Sequence, residues 1–169
     1  MSKSFWAFLL VGIAAASALV GTLLYWNRGA HIELKGSILK VRTLASDPES
    51  TVVFADFRFV NPADYPFVVR KVELFLEDGA GQTLEGMGVS DVDAKRLFEY
   101  YPTLGQKYNT SLVMNARIAP HASLDRMIAA QFRISEEKVQ ARKSLRIRVE
   151  DVDGAVSEMI EATTPVAAP

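Results

Sequence analysis

The stretch Thr51–Glu77 constrains the fold more than any other part of the sequence, because apolar and polar side chains alternate along it in two successive segments. A period of two over this length predicts β-strands that are half buried against a core. Residues Asn61 to Pro66 separate the two predicted strands and have the composition of a turn. The first strand is predicted to face the core with Val53, Ala55, Phe57 and Phe59 and the outside with Asp56 and Arg58, and the second to face the core with Val68, Val72, Leu74 and Leu76.

Further segments with strand-like patterns lie on both sides of this stretch, and short turn sequences separate them. Several strands of this kind, with only brief helices between them, predict a mainly β chain that folds as an antiparallel β-sandwich. The remaining predicted strands are His31–Leu44, Gln82–Val89 as a hairpin partner of the second strand, Tyr108–Ile118, Leu124–Ile134, Leu145–Glu150 and Ala155–Ile160.

Two short helices are predicted from their start signals. Ser90 is a typical helix cap, Asp93 occupies the third helical position, and the helix must end before Pro102. A second helical turn is predicted from Ser135 to about Lys143.

Residues 5–26 form an uncharged run of 22 residues that begins and ends with aromatic side chains. A helix of this length measures about 33 Å, close to the ~30 Å hydrocarbon core of a bilayer. The sequence therefore predicts one transmembrane helix, with the lipid bilayer as its partner. The predicted domains are an anchor at 1–28, a β-sandwich at 29–161 and a disordered tail at 162–169.

Two features of the anchor leave alternatives open. The small residues at 14–18 would suit cleavage of a signal peptide, although the apolar run continues well beyond them. The count of basic residues after the helix favours a cytoplasmic sandwich, but residues in a folded domain weigh little in that rule. We expect a single-pass protein of the cell membrane whose sandwich lies on the extracytoplasmic, periplasmic side.

One side of the predicted anchor carries small residues that would let a second helix approach closely. This arrangement favours a membrane protein partner or a homo-oligomer, although alanine-rich anchors are common without such a role. The residues of this predicted helix-packing face are Ala14, Ser17, Ala18 and Gly21.

Composition and motifs exclude several functions. A net charge of −1 leaves no basic excess for nucleic acid, and the absence of cysteine removes disulfides, thiolate metal sites and cysteine nucleophiles. His31 and His121 have no ligand-like neighbours in sequence, and the pairs Asp91/Asp93 and Asp151/Asp153 lack the spacing of a calcium loop. We therefore predict no catalytic residues, no metal, no cofactor and no enzymatic activity.

Three aromatic residues close the first predicted helix. Phe98, Tyr100 and Tyr101 are candidates for contact with a partner or with lipid, and the alternative is that they cover an open end of the sandwich.

The segment from Phe57 to Val69, a strand that runs into Asn61-Pro62 and then a second strand, resembles the LEA2 (late embryogenesis abundant) or WHy (water stress and hypersensitive response) domain family. The resemblance extends from about Glu33 to Glu161. It implies an immunoglobulin-like or fibronectin-like sandwich, often behind one membrane anchor, without enzymatic activity and with a role in stress protection.

The sequence supports three functional hypotheses. The first is a structural, stress-protective or binding module of LEA2 type at the membrane surface. The second is a lipid-binding or lipid-transfer domain, which needs an apolar groove lined by residues such as Phe57, Phe59 and Leu74. The third is an accessory subunit of a larger membrane protein complex.

Overall fold

The structure is a computed structural model that describes residues 12–22 and 33–161. The chain divides into two units, Met1–His31 and Ile32–Pro169. In the first unit, residues 12–22 are helical and are labelled α1. Within the described ranges no helix has the length and hydrophobicity needed to cross a membrane. The two ends of the predicted anchor, residues 5–11 and 23–26, and the predicted tail at 162–169 lie outside those ranges.

Residues 33–161 are mainly β, as the sequence predicts. The elements are β1 (Lys35–Asp47), β2 (Ser50–Val60), β3 (Phe67–Glu77), β4 (Thr83–Glu85), β5 (Met87–Gly88), α2 (Asp91–Tyr100), a 3₁₀ turn (Pro102–Leu104), β6 (Arg117–Ile118), β7 (Ser123–Phe132), α3 (Glu136–Gln140), β8 (Ser144–Asp151) and β9 (Val156–Ile160).

The strands form two antiparallel sheets. The first sheet has the order β1-β2-β7-β5, and the second has the order β4-β3-β8-β9 with β6 paired to β3. Apolar side chains from both sheets pack into one core between them. The largest fully buried members of this core include Phe57, Phe59, Phe67, Leu74, Phe132 and Ile147. The β-sandwich that the sequence predicts is therefore confirmed.

The two strands of the opening stretch lie in different sheets, so the connection between them spans the sandwich. Asn61 is fully buried at this connection. Its side-chain amide donates to the carbonyl oxygens of Tyr65 (2.9 Å) and Ala119 (3.2 Å), and its side-chain oxygen accepts from the backbone N–H of Ala63 (3.1 Å). The bonds to Tyr65 and Ala63 lie within the predicted turn, and the bond to Ala119 ties the turn to a second loop.

Strand β3 differs from its predicted alternation. A register shift between Val69 and Lys71 changes which residues face the core. Before this bulge Phe67 and Val69 are buried, and after it Leu74 is buried, whereas the predicted core residue Val68 is only half buried. The prediction for Val68 is wrong because one extra residue in a strand moves the following side chains to the other face.

The predicted strand Gln82–Val89 is divided between the two sheets at Gly86. β4 pairs with β3 as the predicted hairpin requires, but β5 pairs with β7 in the opposite sheet. A Cβ at Gly86 would lie 2.7 Å from atoms of Ala130 and Phe132, so the crossing needs glycine.

The predicted strand Tyr108–Ile118 is wrong for most of its length, because only Arg117 and Ile118 belong to a strand. The segment crosses from one sheet to the other. The N–H of Leu112 donates to the carbonyl of Met127 in the first sheet (2.9 Å), and that of Asn115 donates to Val69 in the second (2.7 Å). The strand prediction fails here because most of the segment is a loop that crosses between the sheets.

Candidate functional site

The candidate site is the layer formed by α2, the 3₁₀ turn and the loop 105–111, which covers the outer face of the first sheet. We call this layer the α2 cover. Helix α2 begins as the sequence predicts: the side chain of Ser90 accepts a hydrogen bond from the N–H of Asp93 (3.1 Å), and two acidic residues lie in the first turn. It ends at Tyr100, directly before the 3₁₀ turn that Pro102 begins.

The inner side of the α2 cover packs on strands β2 and β7. Ala94 and Phe98 of α2 are buried there, and the ring of Phe98 meets the ring of Phe54 edge to face at 4.9 Å between centroids. Phe98 is 7% exposed and belongs to a second apolar cluster, so most of its ring is covered by contacts with the sheet. The contact prediction is corrected for Phe98, because the residue lies on the inner face of an amphipathic helix.

A buried ion pair lies between the sheet and the α2 cover. Arg42 of β1 and Asp56 of β2 pair with their side chains 8% and 6% exposed. Arg42 also donates to the carbonyl oxygens of Leu104 (3.2 Å) and Gln106 (2.9 Å), and the side chain of Asn109 donates to Asp56 (2.9 Å). Besides the bond between them, Arg42 therefore makes two hydrogen bonds to the cover and Asp56 makes one.

The guanidinium of Arg42 also lies over the ring of Phe98, 4.5 Å from its centroid. The sequence predicts that Asp56 points away from the sandwich core, and it does, but it faces a second buried layer. Val52 and Phe54 lie on the same face of β2 as Asp56, and both are apolar. These two residues are the sequence signal that could have shown that the outer face is covered.

A second set of bonds fixes the loop 105–111 to the start of α2. The side chain of Asp91 accepts from the ammonium of Lys107 (2.9 Å) and from the backbone N–H of Ser111 (2.9 Å). Hydrogen bonding from Ser111 and then from Lys107 lowers the pKa of the Asp91 carboxyl to about 2. The carboxylate is therefore a structural acceptor that holds the loop.

The outer side of the α2 cover presents three tyrosines. Tyr100 is 77% exposed, Tyr108 is 70% exposed, and Tyr101 is 37% exposed. The rings of Tyr100 and Tyr101 meet edge to face at 5.0 Å, and an open groove of about 700 Å³ lies beside them. Leu97 and Arg96 are also among the lining residues of this groove. The sequence does not single out Tyr108, because it belongs to a segment that is predicted as a strand.

A second groove, of about 450 Å³, lies between α2 and the loop 105–110. Its lining includes Phe98, Lys95, Lys107 and Tyr108. Exposed aromatic rings next to grooves suit contact with another apolar surface.

The other predicted site residues are not part of the α2 cover. Ala14, Ser17, Ala18 and Gly21 are exposed on α1, and their role in helix packing stays a prediction. His121 contacts Asp64 (3.0 Å) at the surface, while His31 lies outside the described residues.

The acidic pairs have structural roles in the described residues. Asp151 is buried and accepts from the N–H groups of Val68 (3.0 Å) and Val152 (2.7 Å), and Asp93 belongs to the cap of α2. In residues 12–22 and 33–161, no three His, Cys, Asp or Glu side chains cluster as metal ligands would.

No family model matches the chain, and no curated protein matches it. Among solved structures, a Bordetella pertussis protein that carries the ApaA name is 18% identical, with 78% of this chain and 89% of that chain covered and a TM-score of 0.36. Another structural-genomics target is 11% identical, with 82% and 89% covered and a TM-score of 0.36. A flagellar-like filament is 12% identical, with 96% and 100% covered and a TM-score of 0.32. Similarities of this size do not establish a shared fold.

Removing one partner of the buried ion pair should destabilise the protein strongly. We expect Arg42→Met or Asp56→Leu alone to lower the free energy of unfolding by about 3–5 kcal/mol, because each leaves the other charge buried without a counter-charge. The double variant should lose clearly less than the sum of the two. Urea unfolding of the full chain in mild detergent measures all three.

The exposed pair Arg58–Asp125, with side chains 58% and 36% exposed, is the matched control. Arg58→Met and Asp125→Leu should each change the free energy of unfolding far less than the substitutions in the buried pair, because solvent screens an exposed ion pair. Equal losses in the free energy of unfolding for the buried and the exposed pair would contradict the role assigned to Arg42 and Asp56.

The Asp91 carboxylate should make stability depend on pH in the acid range. Its pKa falls from 3.8 to about 2 in the folded protein, so its contribution is present above about pH 4 and is lost as the pH falls towards 2. Because the side chain is 39% exposed, solvent screening limits the contribution to about 1 kcal/mol. Asp91→Asn should therefore be less stable than the wild type at neutral pH, and the difference should shrink below about pH 4. A difference that stays constant with pH in urea unfolding would contradict this assignment.

Proposed function

We propose that the protein is a non-enzymatic, membrane-anchored β-sandwich that binds a protein partner through the outer side of the α2 cover. In this role it acts as an accessory subunit at the membrane surface. The observation that carries the proposal is the exposure of Tyr100 and Tyr108 on a layer that buried charges hold to the sheet. Tyrosine supplies a large contact area at low cost in conformational entropy, and it is enriched at protein interfaces.

The contacts that hold the α2 cover on the sheet support a binding role. Phe98 packs the helix against Phe54 of the sheet. Arg42 hydrogen-bonds to the 3₁₀ turn, and Asp91 hydrogen-bonds to the end of the loop that carries Tyr108. A surface that is ordered before binding loses less entropy on association than a flexible one. Tyr100 and Tyr108 therefore need little further ordering when a partner binds.

The membrane anchor is part of the proposal and is supported by the uncharged run at residues 5–26. Residues 12–22 of this run are helical, and their small side chains are exposed. We propose that a partner helix in the bilayer packs on these small side chains. We propose the cell membrane as the location, with the sandwich on the periplasmic side.

Membership in the LEA2 or WHy family, with its immunoglobulin-like or fibronectin-like sandwich, is also proposed. The buried Asn61 turn supports it, because the family-like sequence there has a clear structural role. A stress-protective role follows from that resemblance alone.

Lipid transfer through the sandwich is less well supported. Phe57, Phe59 and Leu74, which would line the required groove, are at most 1% exposed and belong to one packed core. A lipid chain would have to displace these contacts.

A pull-down from a membrane fraction in mild detergent, with mass spectrometry of proteins and lipids, tests the proposal. We expect the wild type to retain a defined set of proteins and Tyr100→Ser/Tyr108→Ser to lose it, because the contact area is removed. Met87→Ser/Ile160→Ser is the matched control, since it removes two exposed apolar side chains elsewhere and should retain the set. Equal recovery with the tyrosine variant would contradict the proposed surface, and a wild-type chain found only in the soluble fraction would contradict the anchor.

A further inference from the structure

Three connecting segments lie close together at one end of the sandwich, around the first residues of β3. They are the loop 61–66, the segment 113–116 and the turn 152–154, and we call this end the entry end. The N–H of Asn115 donates to Val69 from one side of β3, and the N–H of Val152 donates to Val68 from the other (3.0 Å).

The chain enters the sandwich at the same end. Lys35, the first residue of β1, pairs with Val60, the last residue of β2 before the loop 61–66. Residue 33, the first described residue of this unit, is therefore close to the entry end.

The entry end carries exposed apolar side chains on each of its three connections. Met114 is 67% exposed and Val113 is 52% exposed on the first side of β3, Val152 is 48% exposed on the other side, and Tyr65 is 43% exposed in the loop before β3. Apolar side chains at the tips of several adjacent loops are costly in water and suit insertion into a membrane interface, where tyrosine is also favoured.

Charge at this end does not favour an electrostatic contact. The exposed basic residues Lys35, Arg70 and Arg117 are offset by the exposed acidic residues Glu33, Asp64 and Asp153. Without a basic excess, attraction to anionic headgroups adds little, so the apolar side chains must provide the contact.

The length of chain between anchor and sandwich limits where the entry end can be. The predicted anchor ends at Trp26, and seven residue steps lead from it to Glu33. At about 3.5 Å per residue, even a fully extended chain spans about 25 Å. This length is the upper limit of the distance between the predicted end of the anchor and Glu33.

We propose that the entry end rests on the bilayer, with Met114, Val113, Val152 and Tyr65 inserted among the lipid headgroups. This inference rests on the proposed membrane anchoring. With the entry end on the bilayer, the α2 cover lies beside the sandwich, where another protein of the same membrane can reach Tyr100.

The absence of cysteine from the chain allows a single label to be placed at each chosen position. Met114→Cys reports on the entry end, and Met87→Cys, 63% exposed near the opposite end of the first sheet, is the matched control. Each full-length variant carries a nitrobenzoxadiazole fluorophore in phosphatidylcholine vesicles that contain lipid with a nitroxide quencher in the headgroup region. We expect quenching at least several-fold stronger at position 114 than at 87, and the same result when phosphatidylglycerol is added.

Flotation of the labelled protein with the vesicles is measured first. Failure to float overturns the anchoring and the inference together, whereas flotation with equal, weak quenching at 114 and 87 overturns only the contact with the bilayer. Quenching at 114 that needs phosphatidylglycerol would show an electrostatic contact and would also overturn the inference.

Discussion

Strand β2 is buried on both of its faces, and the other layers of residues 33–161 are arranged around it. Its inner residues, such as Phe57 and Phe59, fill the space between the two sheets, while Val52 and Phe54 pack under α2. A strand that faces water on one side would carry polar residues at those outer positions. The apolar outer positions therefore require a third layer, and the α2 cover provides it.

The charged residues in this third layer have a different role from the apolar ones. Apolar contacts between α2 and β2 provide most of the favourable free energy, because the burial of apolar area is the main driving force of folding. The ion pair of Arg42 and Asp56 makes directional bonds to carbonyl and amide groups of the covering loop. A buried ion pair adds little net stability, but its geometry can select one arrangement of the loop over others. These bonds lie on both sides of Tyr108 in the covering loop.

The sequence predicts much of this fold where local pattern and tertiary structure agree. The alternation in Leu145–Glu150 predicts β8, and Ser90 and Pro102 mark the ends of α2 because capping and ring geometry act locally. Predictions fail where the chain crosses between the sheets. The crossings at Gly86 and at residues 109–116 depend on partners distant in the sequence, and a bulge at residue 70 reverses the faces of β3 without any strong local signal.

The candidate site could be predicted only in part for the same reason. The exposure of Tyr100 and Tyr101 can be predicted from their position at the end of a helix. The burial of Phe98 cannot, because it depends on which face of the helix packs on the sheet. The pairing of Arg42 with Asp56 joins adjacent strands across their outer face, so it depends on strand register. The contribution of Asn109 and Lys107 depends on the path of a loop that has no regular pattern.

Native-state hydrogen exchange tests most directly the claim that the α2 cover is a rigid layer of the sandwich. If the buried charges and Phe98 hold it as described, the backbone amides in the middle of α2 exchange only in the same cooperative opening as those of β2, with a similar free energy and the same dependence on denaturant. Exchange of the α2 amides at a free energy several kcal/mol lower, with little dependence on denaturant, would show that the helix detaches while the sandwich stays folded and would contradict the claim.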